Sequence, residues 1–310
     1  MNGLKSAMNP NVVKTALDKV FKQSFEPTMH PGYVDATSPS VFKQDSTDKA
    51  AIVTEVFKGT GLWGARTEDQ DVAQASARVT NQQTFSVTNF AQSVDISKNF
   101  FDDDQHTVYE KMVADMAETG RITRDMNAFA IFRGAFTTTL TNDGATLVSD
   151  SHTTISGDTV DNKLTAVLAT ASLNDAIVAL VEQKAQDGTV RGSLPQTLLV
   201  PPKLFKTACE LTESQYRPGT DYNDINVYST KYGITVATSP FLGAAAGGSD
   251  TAWFLLGNNH SIYRWVRQAV TTDLVDYKYQ RNNSYIYKGE FREVVGALDY
   301  AGIVGSDGTV

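Results

Sequence analysis

Between residues 101 and 132 apolar side chains recur at Val108, Met112, Met116, Ile122, Met126 and Phe129. Steps of three, four and six keep them near one stripe of a helix. The run predicts a single helix on the order of 45 Å long at about 1.5 Å per residue. Asp102, Asp103 and Asp104 precede it, where carboxylates accept hydrogen bonds from the free N–H groups of a first turn. Gly120 sits inside the run, at a cost of about 1 kcal/mol against Ala. Gly134 sits just past its end, where glycine commonly closes a helix. A rod of this length is the spine around which the other elements are placed.

Before the spine, Asn9-Pro10 reads as a cap and first turn. Val13, Ala16, Leu17, Val20 and Phe21 then share one helical face. Lys5, Lys14, Lys19 and Lys22 against Asp18 make this arm basic. Residues 26–50 lose all period among Pro27, Pro31, Gly32 and Pro39, and such a stretch suits an arm lying along a neighbour. Residues 51–99 are rich in β-branched and aromatic positions around Trp63. They predict a long hairpin, or finger, that cannot bury itself alone and so needs a partner surface.

After the spine, Asn142-Asp143-Gly144 marks a turn. Ser172 with Asp175 reads as a capping box opening a second helix over Leu173, Ile177, Leu180 and Val181, with Gly188 closing it. Residues 197–200 form a buried strand stopped by Pro201-Pro202, and residues 203–212 a third helix. Residues 216–226 read as loop, Val227 and 234–236 as strands, 243–250 as a flexible turn, and 252–257 as another buried strand. This alternation predicts a mixed α/β unit. From residue 259 onward, period-2 runs at Ile262, Arg264 and Val266, at Tyr277 and Tyr279, and at Tyr285, Tyr287 and Phe291 predict strands flanking the spine, broken by a turn at 281–284.

Composition narrows the function. The chain has 310 residues, 41% apolar and 20% charged, with a net charge of −8. A large core is therefore affordable, and a general nucleic-acid binder is excluded because phosphate neutralisation needs clustered cations. Cys209 is the single cysteine, so no intrachain disulfide forms and it reads as an inert core thiol in a chain made in a reducing cytoplasm. His30, His106, His152 and His260 are too far apart in sequence for a metal motif. Ser149-Asp150-Ser151-His152 holds the residue types of a hydrolase without the required convergence, and reads as a loop. No glycine-rich phosphate loop occurs. The expectation is no catalytic, cofactor or metal residues, and no enzyme.

The order of parts is arm, finger, long helix, α/β unit, closing strands. It resembles the major capsid protein of tailed bacteriophages, with the HK-97-like (Johnson) α+β fold, and most closely the major head subunits of Mu-like phages. The resemblance rests on Trp63-Gly64-Ala65-Arg66, residues 81–87 (NQQTFSV), the three aspartates, residues 144–152 (GATLVSDSH), residues 197–208 (TLLVPPKLFKTA) and residues 285–292 (YIYKGEFR). It implies an N-terminal arm at 1–50, an E-loop hairpin with its base at 51–100, a peripheral (P) domain with the spine at 101–163, an axial (A) domain at 164–258 and P-domain strands at 259–310. It further implies hexamers and pentamers of this chain in an icosahedral shell around double-stranded DNA, in a virion assembled from protein made in the host cytoplasm. Portal, scaffolding and decoration proteins are the implied partners, with no membrane. The arm begins almost at Met1, so any scaffold is expected to be a separate protein. Lys58 with Asn282 or Asn283 matches a crosslink of some relatives by residue type only, and no crosslink is expected. An encapsulin-type nanocompartment shell is the alternative on the same fold, and a hydrolase using Ser151 and His152 an alternative outside it.

Overall fold

The structure is a computed structural model that describes residues 10–26, 30–57, 59–71, 74, 79, 82–103, 108–214, 225–276 and 283–309. In chain order these form α1 (Pro10–Phe25), β1 (Lys43–Ser46), β2 (Ala51–Thr54), β3 (Gln83–Ser86), β4 (Thr88–Ser97), α2 (Lys98–Asp103), α3 (Val108–Arg133), β5 (His152–Thr153), β6 (Thr159–Val160), β7 (Lys163–Leu164), α4 (Thr170–Val181), β8 (Pro195–Val200), α5 (Phe205–Thr212), β9 (Thr235–Thr238), β10 (Trp253–Gly257), β11 (Ile262–Val275), β12 (Ser284–Ala297) and β13 (Ile303–Ser306).

Two sheets organise these elements. A four-stranded sheet runs β1-β11-β12-β4, and a five-stranded sheet runs β7-β13-β10-β8-β9. In the first, β12 pairs antiparallel with β4 from Ser284↔Ser97 to Glu293↔Thr88, and β11 pairs with β12 from Ile262↔Ala297 to Val275↔Ile286. Tyr285, Tyr287 and Phe291 fall on one face of β12 by the two-residue period and are buried. Against that face lie α1, through Val13, Leu17, Phe21 and Phe25, and the first half of α3, through Tyr109, Val113 and Met116. The second half of α3 enters another core, where Phe129 and Phe132 meet Leu147, Phe254 and Ile303. A third core joins α4 and α5 to the five-stranded sheet through Leu173, Ile177, Leu211, Leu198, Trp253 and Val304.

The spine is a 26-residue helix beginning at Val108. Asp102 and Asp103 instead close α2, which ends five residues before Val108. The buried stripe is also rotated from the expected one. Only Met116 and Phe129 of the six expected positions are buried. Val108, Met112 and Met126 are 37–40% exposed, while Tyr109, Val113, Ala117, Arg124, Asp125 and Ala128 face inward. Polar residues on the buried face hid the true stripe. Gly120 lies where α1 crosses the spine: a Cβ there would stand 3.4 Å from the Phe25 ring, at ordinary contact distance.

Residues 30–46, expected along a neighbour, pack into their own subunit. Ala36, Val41 and Phe42 are fully buried in the subunit's own core, and β1 pairs parallel with β11 from Lys43↔Tyr263 to Ser46↔Val266. Three apolar residues among prolines and glycines carry no period, which is why this insertion does not read as core.

Smaller differences have local causes. Helix α4 starts at Thr170, and Ser172 sits in its first turn, accepting the Ala169 N–H at 2.9 Å. It ends at Val181, leaving Gly188 (φ +79°) in the following turn. Val227 precedes a helical turn at Tyr228–Tyr232 in place of a strand, because the Asn226 carboxamide accepts the Tyr228 N–H at 3.1 Å. Two compact helical turns, Pro240–Leu242 and Ala244–Ala246, occupy the place of the flexible turn expected at 243–250, the second closed at Gly247 (φ +81°). The final strand β13, expected beside the spine, joins the five-stranded sheet between β7 and β10. Lys5, Asn9, Pro27, Lys58, Asp104, His106, Tyr216, Tyr277, Tyr279 and Asn282 lie outside the described residues.

Candidate assembly surfaces

The finger leaves the body from β2 and β3, paired from Ala51↔Ser86 to Thr54↔Gln83. Its base is fixed by one aromatic contact. Phe85 packs on Trp265 at 5.3 Å between ring centres, with the planes tilted by 33°, and Gly296 gives it room, since a Cβ there would stand 2.4 Å from the ring. Farther out, Phe57 bridges to Val79 and both are more than half exposed. Leu62 is 85% exposed and Trp63 97% exposed. A large aromatic left in water is a strong marker of contact with another molecule.

The same segment is tethered once to its own subunit. Gly59 (φ +93°) passes the Asp187 carboxylate so closely that a Cβ would stand 3.0 Å from Oδ2. Burial acts to raise the Asp187 pKa, but hydrogen bonds from Thr189, the Arg191 charge and the Gly61 N–H leave it below its ordinary value. The carboxylate is thus held ionised as an anchor for the base of the tip.

Two further apolar faces are open. On α4 and the loop after it, Val178, Val181, Val190 and Leu194 are 40–64% exposed. On α3, Met112 and Met126 face outward.

The arm is locked to the spine and sheet by buried charges. The Ala36 N–H donates to Asp125 Oδ1 at 3.1 Å. Arg124 reaches Asp35 and Asp125, each at 3.3 Å, and Arg121 reaches Asp125 at 3.3 Å. Arg264 donates to Gln44 at 2.8 Å and grips Glu293 through two guanidinium nitrogens. Burial pushes the Asp125 and Glu293 carboxyls above their ordinary range, and the neighbouring arginines oppose it. Three arginines thus answer three carboxylates, the condition for burying charge without large cost.

The residues of the hydrolase reading do not converge. His152 is fully buried, stacked on Tyr300 at 4.3 Å, with Nδ1 2.7 Å from Asp143 Oδ2. Ser149 and Ser151 hydrogen bond to each other at 3.3 Å, and neither bonds to the ring. Burial opposes the charge on Asp143, but hydrogen bonds from His152 and Thr141 leave its pKa below the ordinary value. The cluster fastens the turn after the spine to the segment after β12. His260 is also buried, and burial together with the Lys43 charge pushes its pKa down to about 4. His30 is exposed. Among the described residues no group of three or more His, Cys, Asp or Glu is placed to hold a metal ion. Cys209 is half-buried, and burial and Glu213 push its thiol up, away from the reactive thiolate. No described helix is long and apolar enough to cross a membrane.

Comparison with known proteins agrees with this arrangement. A family model described as phage capsid protein matches residues 78–306. No curated protein matches the sequence. Among solved structures, the capsid of the cyanophage P-SCSP1u is similar with a TM-score of 0.59 and 10% identity, over 91% of this chain and 90% of that one. The mature capsid of bacteriophage PhiM1 is similar with a TM-score of 0.57 and 13% identity, over 91% and 88%. A virus-like particle from Pyrococcus furiosus is similar with a TM-score of 0.52 and 11% identity, over 94% and 96%.

Proposed function

This chain belongs to the phage capsid protein family, and from that premise we propose how its parts divide the work. It is a major capsid protein with the HK-97-like fold, a structural protein of the virion shell and not an enzyme. Copies of it associate to form that shell. In our reading residues 51–87, of the stretch 51–100 expected as the finger and its base, are the E-loop that extends over a neighbouring copy, while β4 belongs to the four-stranded sheet of its own subunit. The spine and the four-stranded sheet form the peripheral domain, with the arm clamped to it. The five-stranded sheet with α4 and α5 forms the axial domain, to which β13 contributes although it follows the peripheral strands in sequence.

The observation that carries this reading is the exposure of Leu62 and Trp63 at the end of a hairpin whose base is firmly packed. Such a pair is an interface anchor before it is anything else, worth on the order of 2 kcal/mol per contact and repeated around a closed shell. The open valines of α4 suit the contacts within hexamers and pentamers. Double-stranded DNA inside the shell, a portal, a separate scaffold, possible decoration by further proteins, synthesis in the host cytoplasm and kinship to Mu-like head subunits are the finer parts of the proposal. They rest on the residues that carry the resemblance.

Electron microscopy of the purified protein tests the assignment. Closed particles or ring-shaped capsomers are expected, and a strictly monomeric protein would overturn it. The contents of particles isolated from infected cells decide the alternative: DNA for the phage head, packed enzyme for a nanocompartment.

A further inference from the structure

The finger is held to its own subunit at two places. The first is its base, where Phe85 packs on Trp265 of β11 and the Gln83 carboxamide donates to the Leu140 carbonyl at 2.9 Å. The second lies on the turn that follows α4. There Gly59 passes the Asp187 carboxylate, and the Gly61 N–H donates to it. Gly59 stands five residues past the end of β2, up to about 18 Å along the chain. A hairpin held only at its base pivots about that base. A second hold at this distance fixes its direction.

The turn that supplies the second hold is built not to yield. Buried Gln186 donates to Asp299 at 3.3 Å and accepts the Ile155 N–H at 3.2 Å. Buried Gln183 accepts the Gly302 N–H at 2.8 Å. The turn is thereby fastened to the segment after β12. The Asp187 carboxylate divides its work between turn and finger. Its Oδ1 accepts the Thr189 N–H at 3.0 Å and the Thr189 hydroxyl, which closes the turn itself. Its Oδ2 meets Arg191 and faces the finger, 3.0 Å from where a Gly59 Cβ would stand. The Asp187 side chain is 2% exposed. The finger is shaped to match, since Gly59 (φ +93°) and Gly61 (φ +74°) adopt conformations that residues with a Cβ rarely take. An aspartate that only closed its own turn would need neither this approach nor the two glycines.

We propose that Asp187 is a positioning residue for assembly: through it the five-stranded body of a subunit sets the angle at which that subunit's own finger leaves, and with it the curvature of the particle. The proposal rests on the E-loop reading above. A finger that reaches a neighbouring copy fixes the angle between the two copies, and the same contact recurs throughout a closed shell. An error in the angle is therefore repeated at every contact, and mixed sizes or open sheets replace a single closed form. A hydrogen bond to a carboxylate favours the held finger by a factor on the order of 10 to 100. That is enough to give nearly every copy the same angle before it meets a neighbour.

Two variants test this from opposite sides of the contact. Asp187→Asn keeps one oxygen for the Thr189 bonds and turns an amide NH2 toward Arg191 and the Gly61 N–H, donor against donor. Gly59→Ala puts a Cβ against the carboxylate. In dissociated subunits both should melt near the parent, while hydrogen exchange at the Gly61 amide speeds up by about 10- to 100-fold. By electron microscopy their particles should spread in diameter or stay open where the parent gives one size. The double variant should be no worse than either single one, because the same contact is lost once. Uniform particles of parental size from either variant would overturn the proposal while leaving the E-loop reading standing. So would defects that add in the double variant or follow a lowered melt, which would assign Asp187 to its turn alone. Normal shells from a chain whose tip has been replaced would instead overturn the E-loop reading, and the proposal with it.

Discussion

The Ala36 N–H donates to the carboxylate of Asp125 at 3.1 Å across 89 residues of sequence. That bond joins the arm to the spine together with the ion pair from Arg124 to Asp35. Nearby, Arg264 and Glu293 form a pair inside the four-stranded sheet. Removing one member leaves its partner charged and buried. Glu293→Gln should therefore destabilise the subunit by roughly 3–5 kcal/mol, read as a lower denaturant midpoint. Replacing Arg264 and Glu293 together by Met and Leu should cost clearly less. Equal losses for the single and the double variant would mean that the pair itself, rather than an orphaned charge, is what stabilises.

The Asp143–His152 contact predicts an acid-dependent term. Asp143 has its pKa lowered in the folded subunit. Its contribution is therefore present above the unfolded carboxylate value and lost as pH falls through the lower folded one. Asp143→Asn should cost on the order of 1.5–3 kcal/mol at pH 7. The gap between variant and parent should narrow below about pH 4, where an unfolded aspartate takes up its proton. Thermal melts at pH 7 and pH 3 measure both.

The two faces of the spine give a paired test. Met116 is 4% exposed and Met112 is 39% exposed. Met116→Asp buries an unpaired carboxylate and should cost several kcal/mol, yielding insoluble protein. Met112→Asp should leave the subunit folded, with a melt within about 0.5 kcal/mol of the parent. Equal damage from both would place the buried stripe elsewhere.

Replacement of residues 60–82 by a short Gly-Ser link should give a soluble subunit with near-parental circular dichroism and no closed shells. The cut keeps Phe85 against Trp265, so the base of the finger survives. Sedimentation separates shells from subunits. An unfolded product would show that the tip belongs to its own core.

With a single cysteine and no supported crosslink, purified parental particles should run as one band near 33.7 kDa on a denaturing gel without reductant. A ladder from parental particles would reveal covalent chemistry between subunits.

Much of this fold was legible because its signals were periodic. The face of α1, the alternation along β12 and the exposed finger could all be read from spacing. The finger was also readable as a long hairpin with too little apolar surface to form a core of its own. The spine was legible in type but not in rotation. Its buried face carries Arg124 and Asp125, whose partners lie in the arm and are invisible to any window around residue 120. The arm failed for the complementary reason: Ala36, Val41 and Phe42 are buried by elements far away in sequence, Phe129 of the spine among them, and their own neighbours give no period. The apolar groove lined by Phe21, Phe90, Met116 and Phe291 was unreadable, since two helices and three strands build it from distant segments.

The position of β13 bears on how the protein comes into being. Its four residues fill a slot between β7 and β10, yet a ribosome makes them after every other strand of that sheet. Until residue 306 has been made, β10 lacks one neighbour and β7 has none, so the five-stranded sheet stays open. A chain interrupted before β13 is therefore not a near-native part that could enter a growing particle and spoil it. The thread order that slows folding, by making its last pairing a long-range one, also serves as a quality check on the parts supplied to the shell.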